Sequence, residues 1–262
     1  MQIIEPKPNR FDPNHSFILV TGGSGGFGRS LISLLCSEGF SVMNWDKVPP
    51  AEKVKNEIFL ELDLTSIFQI ETACENLRKE FFPVTASIAR VPKHLVGYVH
   101  AAGYGGPYHA ITEVSVEEWD AIFSTNLRSA FQITKAILPG FSSQKFGRLV
   151  YLASSLALKG SAHSVAYSSS KHGLIGFVKS IAAEWGEFGI TSNAVSPGYM
   201  ETKMGIQEDQ VNDHRNRIIE MTPSKKIADP IEVARVVRFL LTEAADYVNG
   251  ANWTIDGGIT AI

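Results

Sequence analysis

The sequence predicts an α/β fold in which a mostly parallel, seven-stranded sheet is covered by helices on both faces. Three observations carry this expectation. Short apolar runs alternate with amphipathic helical patterns along the chain. A glycine-rich turn joins the first apolar run to the first helical pattern. No internal repeat, low-complexity tract or linker divides the 262 residues, so 15–262 reads as one domain behind an N-terminal arm, 1–14, rich in Pro and Asn.

In order, Phe17–Val20 is the first strand, and a helix follows around Arg29–Glu38 with Leu31, Leu34 and Leu35 on one face. Ser41–Trp45 and Ile58–Leu62 read as strands, and Ile67–Phe81 as a helix. Pro83–Pro92 reads as a surface loop before the fourth strand, His94–Ala101. A long helix is expected over Val116–Leu138, then a strand at Arg148–Ala153 and a helix at Ala166–Trp185. Thr191–Val195 is a strand, Pro230–Thr242 a helix and Asn252–Ile255 a last short strand. Met200–Ala228 has mixed polarity and one helical patch near Asn212–Met221; it reads either as a flap over a site or as a solvated helix-loop.

Composition excludes several classes. A hydrophobic fraction of 44% and a charged fraction of 19% describe a soluble globular chain. The net charge of −3, without long runs of either sign, leaves no footprint for nucleic acid or an acidic membrane surface. Cys36 and Cys74 stand in helical patterns with no metal-ligand spacing and no HExxH is present, so neither a disulfide framework nor a metal site is expected. The N-terminus lacks a signal-peptide h-region and no apolar run approaches membrane-spanning length, so the expectation is cytoplasmic.

Chemistry begins at Thr21–Gly28, TGGSGGFG. Glycines at a strand-to-helix turn let backbone approach a pyrophosphate, and the helix N-terminus offers it free N–H groups. Thr21, Gly22, Ser24, Gly26, Phe27 and Gly28 are therefore candidates for holding a dinucleotide. Asp46, 18 residues after Gly28, closes the second strand; a carboxylate there accepts hydrogen bonds from ribose hydroxyls and repels a 2′-phosphate. NAD is expected over NADP, with Lys47 the one neighbouring cation that could soften the preference.

The turn fits both TGxxxGxG (Gly22, Gly26, Gly28) and TGxxGxxG (Gly22, Gly25, Gly28). These registers resemble two branches of the short-chain dehydrogenases/reductases, and the turn alone leaves both open. Downstream motifs resemble the short, single-domain branch, whose fold is a doubly wound Rossmann sheet. Tyr167-Ser-Ser-Ser-Lys171 is YxxxK, and Ser154 stands 13 residues before the tyrosine with Gly160 six further on. Ser155 misses both spacings by one.

The resemblance implies that Tyr167 is the acid/base and that Ser154 orients the substrate oxygen. It makes Lys171 a ligand of the nicotinamide ribose and a cation that lowers the tyrosine pKa. Asn126, in Ser-Thr-Asn-Leu, would be the catalytic asparagine that holds a relay water. It also implies cofactor contacts at Asp63 and Leu64, at Ala101, Ala102 and Gly103, and at Pro197, Gly198 and Thr202 of PGxxxT. One departure is that His100-Ala101 stands where the family has Asn-Asn.

The expected reaction interconverts a secondary alcohol and a ketone with a nicotinamide cofactor, on a pocket walled by Tyr104, Ser155, Leu156, His163 and Tyr199. Homodimers or homotetramers are implied. A silent nucleotide-binding regulator and an epimerase or dehydratase that recycles bound NAD are the alternatives.

Overall fold

The computed structural model describes residues 13, 15–83, 93–202 and 211–261. Nearly all of the N-terminal arm, most of the Pro83–Pro92 loop and residues 203–210 of the flap candidate lie outside the described residues. Seven strands form one sheet: β1 (Ser16–Thr21), β2 (Ser41–Asp46), β3 (Glu57–Glu61), β4 (His94–His100), β5 (Gly147–Leu152), β6 (Ile190–Pro197) and β7 (Asn252–Ile255). Their order is β3-β2-β1-β4-β5-β6-β7, with neighbouring strands parallel. The order reverses between β1 and β4, and in such sheets ligands bind at the carboxyl ends beside that reversal.

Every residue of β1, β5 and β6 is buried, as a parallel strand covered on both faces requires. On one face α2 (Ile67–Phe81), α4 (Ser129–Gln144) and α5 (Val165–Trp185) pack over Leu19, Tyr98, Leu149 and Tyr151. On the other, α1 (Gly26–Ser37) and α7 (Pro230–Leu240) cover Ile18, Val42, Val99 and Val150. Met200 and Ala228 pair in a short parallel bridge, and within the segment they bracket α6 is described over Val211–Met221.

Helix starts are written in local chemistry. Ser66 caps α2, Ser115 caps α3 (Val116–Phe123), and Asp229 with Glu232 forms a capping box on α7 behind Pro230. At α1 the cap position is Gly25, and no side chain accepts from its first turn.

The long helix departs from expectation in two places. Between α3 and α4 a π turn, Ser124–Arg128, interrupts it. It also runs through Pro139 to Gln144 rather than stopping at Leu138. Burying Leu138 and Phe141 is worth about 3–6 kcal/mol together. That exceeds the cost of a helix-interior proline, about 3 kcal/mol.

Buried charge locks β2 and β3 under the glycine turn. The fully buried Glu57 carboxylate accepts from Arg29 Nη1 (2.6 Å), Asn44 Nδ2 (2.8 Å) and Val54 N (3.1 Å). Burial alone would raise its pKa, but the hydrogen bonds from Arg29, Val54 and Asn44 outweigh burial and hold it below the ordinary value. Glu57→Ala takes the carboxylate from the Arg29 guanidinium and the Asn44 amide, leaving the first with Glu52 O and the second with Ser24 Oγ, so a loss of about 3 kcal/mol is expected in urea unfolding. A midpoint equal to wild type would contradict this role.

Candidate active site

The candidate site is built from the carboxyl ends of β1, β2, β4, β5 and β6. At β1, Gly22 takes φ of 71°, and a Cβ there would lie 2.6 Å from the Ala102 backbone. A Cβ on Gly28 would fall 2.2 Å from the Gly22 carbonyl oxygen, and one on Gly26 would fall 2.9 Å from Thr202 Cγ2. At Gly25 the nearest atom would be 3.5 Å away, an ordinary contact. Glycine is thus required at 22, 26 and 28 but not at 25, which selects the TGxxxGxG register. With no side-chain cap on α1, its first-turn N–H groups suit a pyrophosphate. Phe27 and Leu64 bury their side chains in the core, so only their backbone can serve a cofactor.

The adenosine side is acidic. Asp46 accepts from Ser24 N (2.9 Å) and Val48 N (3.2 Å), which aims its carboxylate at the turn. Asp63 accepts from the backbone and hydroxyl of Thr65 and pairs with Lys47 at 3.3 Å. Those hydrogen bonds, led by the Thr65 backbone, hold its carboxyl below the ordinary value. Lys47, the cation next to Asp46 that a 2′-phosphate would need, pairs with Asp63 instead.

Three expected catalytic side chains meet between β5 and α5. Ser154, nearly buried, follows β5, and its Oγ accepts from Leu156 N (3.1 Å). It also hydrogen-bonds the Tyr167 phenol, which favours the phenolate. Ser155 makes no such contact and is buried beside it. Residues 167 and 171 share a face of α5, and Lys171 Nζ lies 5.7 Å from the Tyr167 ring centroid.

The electrostatics differ from expectation. Burial pushes Tyr167 up to about 12, against the pull of the Ser154 hydrogen bond. Lys171, whose buried ammonium donates to the Leu152 carbonyl at 2.7 Å, does not offset this burial. Burial also brings Lys171 down to about 8.

Asn126 sits inside the π turn, fully buried. Its Oδ1 accepts from Tyr104 N (2.8 Å), and its Nδ2 donates to Tyr104 O (3.1 Å) and Ser170 Oγ (3.0 Å). Ser170 in turn donates to the Tyr167 carbonyl at 2.7 Å. The asparagine thereby ties the loop after β4 to the helix that carries the tyrosine.

A family model described as enoyl-(acyl carrier protein) reductase matches residues 26–260. The D-beta-hydroxybutyrate dehydrogenase of Cupriavidus necator is 31% identical over 270 residues, spanning 95% of this chain and 99% of that one. The chain belongs to the short-chain dehydrogenase/reductase family. It is accordingly a member of an oxidoreductase enzyme family. The 3-oxoacyl-(acyl-carrier-protein) reductase of Salmonella typhimurium is 31% identical over 249 residues, spanning 92% of this chain and 96% of that one. The solved aldohexose dehydrogenase of Thermoplasma acidophilum superposes with a TM-score of 0.84 at 26% identity, covering 96% of both chains.

Within the short-chain dehydrogenase/reductase frame, the pocket candidates separate by exposure. Tyr104 and Tyr199 are exposed, Leu156 is half-buried, and His163 is exposed with a left-handed φ of 61°. Sequence reasoning missed Tyr108, whose half-exposed phenol lies near enough to Tyr167 to raise its pKa. It also missed Ser170, whose hydroxyl is the side-chain partner of Asn126. Only the i, i+3 step from Tyr167 hinted at that role. Ala101 and Ala102 bring backbone against Gly22 of the turn, and Gly198 packs on Asp256.

Proposed function

We propose that the chain is an oxidoreductase that prefers NAD over NADP and interconverts a secondary alcohol and a ketone. The observation that carries this reading is the meeting of Ser154, Tyr167 and Lys171 beside a glycine turn fit for a dinucleotide. A bound nicotinamide would supply the hydride donor or acceptor. Thr21–Gly28 would hold the pyrophosphate, Asp46 and Asp63 the adenosine half, and Pro197, Gly198 and Thr202 the carboxamide end.

Ser154 donates to the oxygen that reacts and holds it beside Tyr167. With its pKa near 12, Tyr167 is a protonated acid at neutral pH, ready to donate to a carbonyl oxygen during reduction. In the oxidative direction the same oxygen must take a proton, so that direction needs the phenolate, which the Ser154 hydrogen bond favours. Asn126, through Tyr104 and Ser170, fixes the turn from which a relay water would be held. The Asp46 carboxylate disfavours a 2′-phosphate, and the pairing of Lys47 with Asp63 adds to that preference.

Residues 15–262 act as one catalytic domain in this reading, in the cytoplasm, as a homodimer or homotetramer. The α3, α4 and α5 face supports assembly, since it carries a cavity of about 380 Å³ lined by Phe123, Leu127, Phe131 and Phe177. No helix among the described residues is long and apolar enough to cross a membrane. The test is net oxidation or reduction of nicotinamide across a panel of secondary alcohols and ketones. Cofactor binding with no net change would favour the recycling or silent alternatives.

A further inference from the structure

His100 ends β4 with no exposed surface, level with Thr21 of β1 on one side and Tyr151 of β5 on the other. Its Nδ1 lies 3.0 Å from both the Thr21 and the Tyr98 hydroxyl oxygens. Nδ1 thus closes a buried cluster with the two hydroxyls, each of which can donate or accept. Among the described residues Nε2 makes no hydrogen bond of normal geometry. The backbone of Asn126 and Thr125 nevertheless faces the ring closely enough to favour a proton on it.

The imidazole stays neutral. Burial pushes its pKa down to about 3, and the Lys171 charge adds to that. It is therefore no second base, and it spares the site a second buried cation. What remains is its place between two working parts. Thr21 begins the cofactor turn, where its carbonyl accepts from Ala101 N (3.2 Å) and its hydroxyl from Ala102 N (3.4 Å). On the other side lies the π turn that carries Asn126, where irregular backbone depends on its surroundings.

We propose that His100 is a positioning residue that spaces the Thr21 end of the cofactor turn from the Thr125–Asn126 backbone. Its ring thereby sets where the Asn126 amide stands relative to a bound dinucleotide. This rests on the oxidoreductase reading for its consequence in turnover, but not for its structural content.

The test compares wild type with His100→Asn and His100→Phe by hydrogen exchange without cofactor, by NADH fluorescence titration, and by kcat and KM separately. Both variants should exchange about 10-fold faster over Ser124–Arg128, as loss of a buried polar support predicts. His100→Asn should bind NADH within about 3-fold of wild type, and His100→Phe about 10-fold more weakly. In both, kcat should fall about 10-fold with KM little changed.

Unchanged exchange over Ser124–Arg128 in either folded variant overturns the proposal. If His100→Phe fails to fold, His100→Asn decides alone by the same criterion. If wild type turns over no alcohol or ketone, the oxidoreductase reading fails. The exchange and titration results still decide the role of His100.

Discussion

Tyr167→Phe should leave the fold and NADH binding intact while reducing turnover by about 10³-fold. The phenol accepts the Ser154 hydrogen bond and so stands beside any oxygen held by that serine. Removing it leaves the ring packed but deletes the proton donor. Ser154 and Lys171 cannot substitute, the first because it is a far weaker acid and the second because its ammonium is turned to Leu152 O. The measurement is kcat on any ketone that wild type reduces, with NADH affinity as the control. Turnover within about 10-fold of wild type would remove Tyr167 from the chemistry.

Asp46→Ala should narrow the preference for NAD over NADP by about 100-fold, chiefly by relieving repulsion of the 2′-phosphate. The carboxylate is held by two backbone N–H groups, so it cannot swing away to admit a phosphate. Lys47 adds little to the variant's NADP affinity while Asp63 keeps it. Dissociation constants for NADH and NADPH, measured on both proteins, check this. Equal ratios in wild type and variant would show that Asp46 does not read the ribose.

Much of the architecture was legible because each element announces itself locally. The continuous apolar runs of β1 and β5 and the stripe of Leu31 and Leu35 require no knowledge of distant partners. Tyr167 and Lys171 were legible for the same reason, since i and i+4 on a helix must share a face. The glycine register was not, because it depends on what a Cβ would strike: Ala102, Gly22 and Thr202 come from three parts of the chain.

The π turn at Asn126 and the Thr21–His100–Tyr98 cluster are likewise products of strand register and packing, which no spacing rule encodes. The tyrosine pKa was misjudged for a related reason. Adjacency to Lys171 was visible in the sequence, but the burial that outweighs it was not. Pro139 shows the same limit at the level of a helix end, where two buried apolar side chains override a local breaker.

The most direct measurement follows a deuterium label from the nicotinamide ring of NADH during reduction of a ketone by wild-type protein. The account predicts that the label appears at the carbinol carbon of the product alcohol, with oxidised NAD released in equal amount and the hydroxyl proton drawn from solvent. A label that stays with the cofactor while the substrate is transformed, or no net oxidation of NADH across a broad ketone panel, would contradict it.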